Sequence, residues 1–165
     1  MQTCKNNIQL IISYILILCI AFIIQNKSLL AQESGPQRIV VYDGDCKLQL
    51  VKGFFPCDNK VIYTLLKNGR TLIAFMKGND MFTVVGGADR QPNLENYYVS
   101  LDKFIINKGE KVVATDTNME GECHFRMNKD ATIFYSIKCD IYNRQKGTLY
   151  NFYLENIRDF NRKEF

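Results

Sequence analysis

The chain has no tryptophan, one histidine and three prolines in 165 residues, and each scarcity narrows what it can be. With His124 as the sole imidazole and no C-x-x-C pair, a Cys/His zinc site is only weakly supported. A Ser-His or Cys-His nucleophile is short of the same base. His124 adjoins Cys123 on what reads as the outward side of a strand, and Ser34, Ser100 and Ser136 stand in no G-x-S-x-G elbow. The lack of tryptophan also weakens a sugar-stacking platform. No segment after residue 31 has the spacing of an amphipathic helix, which argues against α and α/β folds. No concentrated basic patch exists either. Setting aside the apolar N-terminal segment, which holds Lys5 and Lys27 and no acid, lowers the formal charge from +4 to +2, so nucleic acid is excluded as a partner.

What is present begins with an export signal. Lys5 precedes the apolar run Ile8 to Ile24, followed by a polar Gln25 to Ser28 and by Leu29-Leu30-Ala31. Residues 1–31 read as a signal peptide cleaved after Ala31. The rival reading is an uncleaved anchor, since the run falls just short of the ~20 residues that span a bilayer; only then would a membrane be a partner. Residues 32–37 read as a mobile leader, 38–157 as one globular domain and 158–165 as a charged tail. The exported part keeps Cys46, Cys57, Cys123 and Cys139, an even number that implies disulfides in an oxidising compartment, periplasmic or secreted. Pairing Cys46 with Cys57 and Cys123 with Cys139 closes the two shortest loops, each worth about 3 kcal/mol in the chain-entropy account.

The strand signals are regular. Asn68-Gly69 lies between Val61 to Leu66 and Thr71 to Met76 and predicts a two-residue type I′ hairpin. That turn would place Leu65 opposite Leu72, Tyr63 opposite Ala74 and Val61 opposite Met76, with both faces apolar and covered. Further strands are expected at Ile39 to Tyr42, Cys46 to Val51, Met81 to Val85 (ended by Gly86-Gly87), Tyr97 to Asn107, Lys111 to Thr115 and Thr148 to Glu155. A polar loop is expected over residues 88–96 and an acidic one over 116–122. Cys123, Phe125 and Met127 alternate with His124 and Arg126. Ile133, Tyr135, Ile137, Cys139 and Ile141 form one face of another strand, with Phe134, Ser136, Lys138 and Asp140 on the outward face. The expectation is an all-β, disulfide-stabilised antiparallel sandwich or flattened barrel of about seven to nine short strands. A lipid-facing barrel is excluded by Asp159, Asn161 and Lys163, which alternate just before the terminal Phe165.

One cysteine pair near the start, the Gly69-Arg70 hairpin and a second pair near the end make the chain similar to small exported cysteine-pair proteins of Gram-negative bacteria. The resemblance implies a periplasmic setting and no particular activity. Cys57-Asp58 leading to Val61-Ile62-Tyr63 is echoed by Cys139-Asp140 leading to Ile141-Tyr142, a hint of internal pseudo-symmetry.

Few residues suggest chemistry. Asp43 and Asp45 could pair as glycosidase carboxylates, yet acids beside glycine ordinarily shape turns. Asp116, Asn118 and Glu120-Gly121 resemble the start of a calcium loop, but the twelfth position is Met127. No metal or cofactor is therefore expected. Arg90, in the polar loop, with Tyr97 and Tyr98 after it, forms the candidate binding set, because Arg and Tyr supply most anchor residues of interfaces. The expectation is an exported, non-catalytic binding or interaction module of the cell envelope, recognising an envelope protein or a small ligand. The alternatives are an enzyme built from distant carboxylates and tyrosines, and a membrane-tethered structural subunit.

Overall fold

Ten strands and no helix make up the described residues of the computed structural model, which run from Gly35 to Phe165 apart from Lys52 and Ala131. The expected signal peptide lies outside them. The strands are β1 (Pro36–Leu50), β2 (Gly53–Pro56), β3 (Lys60–Leu66), β4 (Thr71–Lys77), β5 (Asp80–Asn93), β6 (Asn96–Lys108), β7 (Lys111–Asp116), β8 (Met119–Met127), β9 (Phe134–Asn143) and β10 (Thr148–Glu164). β1 pairs with β10 from Arg38↔Glu164 to Gln49↔Asn151, and this closes the antiparallel sheet into an eight-stranded barrel in the order β1-β3-β4-β5-β6-β8-β9-β10. β2 and β7 are extra strands. β2 pairs with β1 beyond the end of β3, and β7 pairs with β6 beyond the end of β8.

This arrangement is a repeat. Each half of the barrel comprises a long strand, a short hairpin partner, a return strand, a second hairpin and another long strand, so β1–β5 correspond to β6–β10. The registers agree: the row Val40-Tyr63-Ile73-Val84-Phe104 matches Tyr97-Phe125-Ile137-Leu154-Cys46. The cysteine echo seen in sequence does not mark this repeat, because Cys57 lies between β2 and β3 whereas Cys139 lies in β9, the counterpart of β4.

The lumen is packed with apolar side chains, unlike the polar interior of a lipid-facing barrel. Phe75, Phe152 and Phe104 fill its middle, with ring centroids 5.1 Å (Phe75 to Phe152) and 5.5 Å (Phe104 to Phe152) apart, packed among Leu48, Ile73, Val84 and Leu154. Cys46 is bonded to Cys57 and Cys123 to Cys139, the expected pairing, with the second bridge buried and directly across the β8–β9 ladder. Two such bridges indicate a non-reducing compartment.

Several local expectations are corrected. Leu66 N–H donates to Arg70 O at 2.8 Å and Gly69 N–H to Leu66 O at 2.9 Å, so the first hairpin turns over the three residues Lys67-Asn68-Gly69. Only Gly69 has positive φ (77°), as in a type I turn closed by a bulge. The register therefore moves by one, to Val61↔Phe75, Tyr63↔Ile73 and Thr64↔Leu72. One face of the hairpin is lumenal, and the other, with Ile62, Leu72 and Met76, is only half-buried because a barrel has a single interior.

The segment expected as a polar loop continues the β5–β6 ladder to Asn93↔Asn96, with Pro92 accommodated where the register shifts between Arg90 and Asn93. Gly86-Gly87 does not end a strand. A Cβ at Gly86 would stand 2.1 Å from the Ser100 carbonyl oxygen, so glycine is what lets β5 and β6 approach there. The acidic segment narrows to a turn at Thr117-Asn118. At the ends, the strand begins at Pro36 rather than Arg38, and Arg158–Glu164 is the second half of β10 rather than a tail. Its inward positions Phe160 and Arg162 pair with Tyr42 and Val40, and its charges lie outward or in ion pairs.

In β9 the expected faces exchange at the N-terminal end. Arg126 pairs with Ser136 and Met127 with Phe134, which leaves Tyr135 as a bulged residue. Ile133 and Tyr135 are consequently 52% and 49% exposed, while Phe134 packs into the barrel.

Candidate functional site

The bulges and the long strands leave the barrel incompletely filled at one end. There a cavity of about 560 Å³ opens between the start of β1, the ends of β3, β5, β8 and β10, and the beginnings of β6 and β9. Its inner wall is aromatic. The Tyr42 ring centroid lies 5.0 Å from that of Phe134, Phe134 5.3 Å from Phe160, and Phe125 is 5.7 Å from Tyr63 and 5.4 Å from Tyr97.

Alternation on β1 and β10 produces the polar rim. Arg38, Val40 and Tyr42 point inward on β1, opposite Glu164, Arg162 and Phe160 on β10. Arg38 Nε donates to Glu164 Oε1 at 2.8 Å, and the Arg162 guanidinium donates to the same oxygen. The partial desolvation of Glu164 pulls its pKa upward, but these two arginines overcome it and hold the carboxyl below its usual range.

A second polar group faces them across the mouth. Tyr97 O–H donates to Asp89 Oδ2 at 2.9 Å, so Tyr63 O–H must be the donor to Tyr97 Oη at 3.3 Å. Burial, then the contact with Tyr63 and the charge of Asp89, push the Tyr97 phenol far above its ordinary pKa. The Tyr42 phenol is raised as well, by burial first and then by Tyr63, against the opposing fields of Arg38 and Arg162. Neither phenol is a usable base or nucleophile at neutral pH. Among the described residues the Tyr42 hydroxyl donates to no other side chain, and it lines the cavity.

The candidate trio from sequence is divided by the strand pleat. Tyr97 faces the cavity, whereas Arg90 and Tyr98 lie outside, with the Arg90 guanidinium 3.8 Å above the Tyr98 ring and Tyr98 stacked on His124 at 4.3 Å. Arg90 also pairs with Glu122 at 2.7 Å. His124 Nε2 lies 2.7 Å from Asn96 Oδ1, and burial, reinforced by Arg126, lowers its pKa.

The other acids hold the surface together. Asp43 and Asp45 both grip Arg158, at 2.8 and 2.9 Å. Hydrogen bonds from Asn156 and Arg158 lower the Asp45 pKa, the wrong direction for a general acid. Asp116 accepts from Lys146 at 3.1 Å and from Asn143. Among the described residues no group of three or more His, Cys, Asp or Glu side chains gathers in a metal-binding cluster.

At the opposite end of the barrel a smaller cavity of about 390 Å³ lies among Leu50, Phe55, Phe82, Ile106 and Tyr150, with the Lys77 ammonium 4.3 Å from the Phe55 ring. Sequence reasoning missed Arg38, Tyr42, Asp89, Phe134 and Arg162 as site residues. The inward alternation of Phe160 and Arg162 was the available signal, hidden by reading that segment as a tail. No protein-family model, curated protein or solved structure matches the chain.

Proposed function

We propose that the protein is an exported, non-catalytic binding module of the cell envelope, periplasmic or secreted, that holds a small ligand in the cavity at the Arg38–Arg162 end of the barrel. The observation that supports this reading is the cavity itself. About 560 Å³ falls in the range of ligand sites, and aromatic walls with a few convergent polar groups are the usual composition of such sites. Eight strands form the narrowest barrel able to enclose one small ligand.

The enzyme reading draws on the Asp89-Tyr97-Tyr63 chain, a carboxylate with two tyrosines in one cavity. The raised Tyr97 pKa and the commitment of its proton to Asp89 favour a positioning role over catalysis.

Titrating the full chain with the uncharged fluorescent probe N-phenylnaphthylamine tests the proposal. Saturable one-to-one binding is expected, lost in the cavity-filling variants Leu65→Trp and Thr132→Trp and retained in Tyr98→Ala, whose ring is outside the barrel. Thermal melts run beside the titrations identify variants that fail to fold. Undiminished binding by folded cavity-filled variants, or no saturable binding by the parent chain, would overturn the reading.

A further inference from the structure

We infer that the ligand is an amphiphile carrying a single negative charge, with its apolar body among Tyr42, Phe125 and Phe134 and its headgroup between Arg38 and Arg162. The inference rests on the reading of the cavity as a ligand site.

Its first support is a charge imbalance. Arg38 and Arg162 occupy diagonal inward positions on adjacent strands, since Arg38 faces Glu164 and Val40 faces Arg162. Diagonal neighbours stand roughly 7–8 Å apart, within the screening length of physiological salt, so two guanidinium groups repel each other there. Among the described residues Glu164 is the one carboxylate that joins them, and both arginines converge on its Oε1. Two positive charges against one leave a single uncompensated charge on the β1–β10 wall. Each guanidinium carries five N–H donors, and Glu164 takes only Nε from Arg38, and Nε and an Nη from Arg162. Both arginines line the mouth, and their remaining donors suit the bidentate recognition that arginine offers a carboxylate.

The second support is the opposite wall. Asp89 places a negative charge across the mouth, already engaged by Tyr97. It repels a second anionic group and confines the headgroup to the arginine side, which favours a monoanion over a phosphate dianion. Below the rim, the Tyr42 hydroxyl faces the cavity between the arginines and the aromatic wall, placed to donate to a headgroup oxygen. The remaining wall is mainly apolar, with Phe125, Phe134, Phe160 and Met127, and its polar members Tyr63, Gln91 and Thr132 are uncharged.

Calorimetric titration of the full chain with dodecanoate, dodecanol and dodecyl phosphate, each below its micellar concentration and at mildly alkaline pH, tests this. Dodecanoate is expected to bind about tenfold or more tighter than dodecanol, the effect of a charge-assisted pair, and tighter than dodecyl phosphate. The Arg38→Gln/Arg162→Gln variant, shown to be folded by a thermal melt, should erase that margin, and each single variant should erase part of it. Equal affinity for dodecanoate and dodecanol, or a margin that survives in the double variant, would overturn the headgroup assignment while leaving the cavity as a binding site. Tighter binding of the phosphate would overturn the monoanion preference. Failure of the folded protein to bind any of the three would remove the cavity reading as well.

Discussion

Replacing Gly86 by alanine tests how β5 and β6 meet near the cavity. The backbone at Gly86 is outside the left-handed region, so alanine meets no conformational penalty there and would restrict the unfolded chain. Were Gly86 the end of a strand, the change would be neutral or stabilising by up to about 1 kcal/mol. Instead the new Cβ would lie 2.1 Å from the Ser100 carbonyl oxygen, 3.0 Å from its carbonyl carbon and 2.9 Å from Val99 Cγ1. Two of these atoms are backbone of the partner strand and cannot swing aside. Relief requires opening the ladder around Gly86↔Leu101, next to the bulge at Gly87-Ala88 that aims Asp89 into the cavity. Overpacking of this kind costs about 1–3 kcal/mol, and a backbone obstacle puts Gly86→Ala at the upper end. Gly87→Ala is the matched control, since its Cβ would meet the flexible Arg70 side chain, with Nη1 at 3.2 Å. It should change stability by less than about 1 kcal/mol. Urea denaturation followed by circular dichroism reads both, with an unchanged slope licensing the comparison of midpoints. Equal midpoints for Gly86→Ala and the parent chain would refute the close approach of the two strands.

The buried cross-strand bridge should matter to a similar degree: Cys123→Ala/Cys139→Ala opens a link of sequence separation 16 and is expected to cost about 3 kcal/mol, and a denaturation midpoint equal to that of the parent would contradict it. His124 gives a pH signature. Its folded pKa is depressed, chiefly by burial and secondarily by Arg126, so the unfolded state binds more protons as pH falls through about 6.5 and stability drops toward the folded pKa. His124→Gln should remove that component, seen as a flatter dependence of the urea midpoint between about pH 7.5 and pH 5.5, and identical profiles for the two proteins would show that the ring titrates alike in both states.

Much of the architecture was written locally. Alternation in Cys123 to Met127 and in Ile137 to Ile141 marks inward faces that the barrel keeps, and short loops between cysteines anticipate both bridges. Turn chemistry at Asn68-Gly69 located the first hairpin but not its register, because two-residue and three-residue turns share that dipeptide and differ only in which pair closes them. The candidate site was legible at Tyr97 alone of its three residues. Arg90 and Tyr97 are near in sequence, but the pleat and the β5–β6 ladder send Arg90 and Tyr98 outward and Tyr97 inward.

Period-two patterning, paired cysteines and scarce helical spacing thus determined an all-β, disulfide-bonded domain by sequence alone, since each depends on neighbours within a few residues or on residue chemistry. Closure into a barrel was decided only in three dimensions. It rests on pairing between chain ends as distant as Arg38 and Glu164, and it turned Arg158–Glu164 from a charged segment into a wall of the cavity. The bulge at Tyr135 was decided there too. A single extra residue reverses which side chains face inward, and only the partner strand β8 determines where that residue is left unpaired, so no local pattern could place Phe134 beside Tyr42.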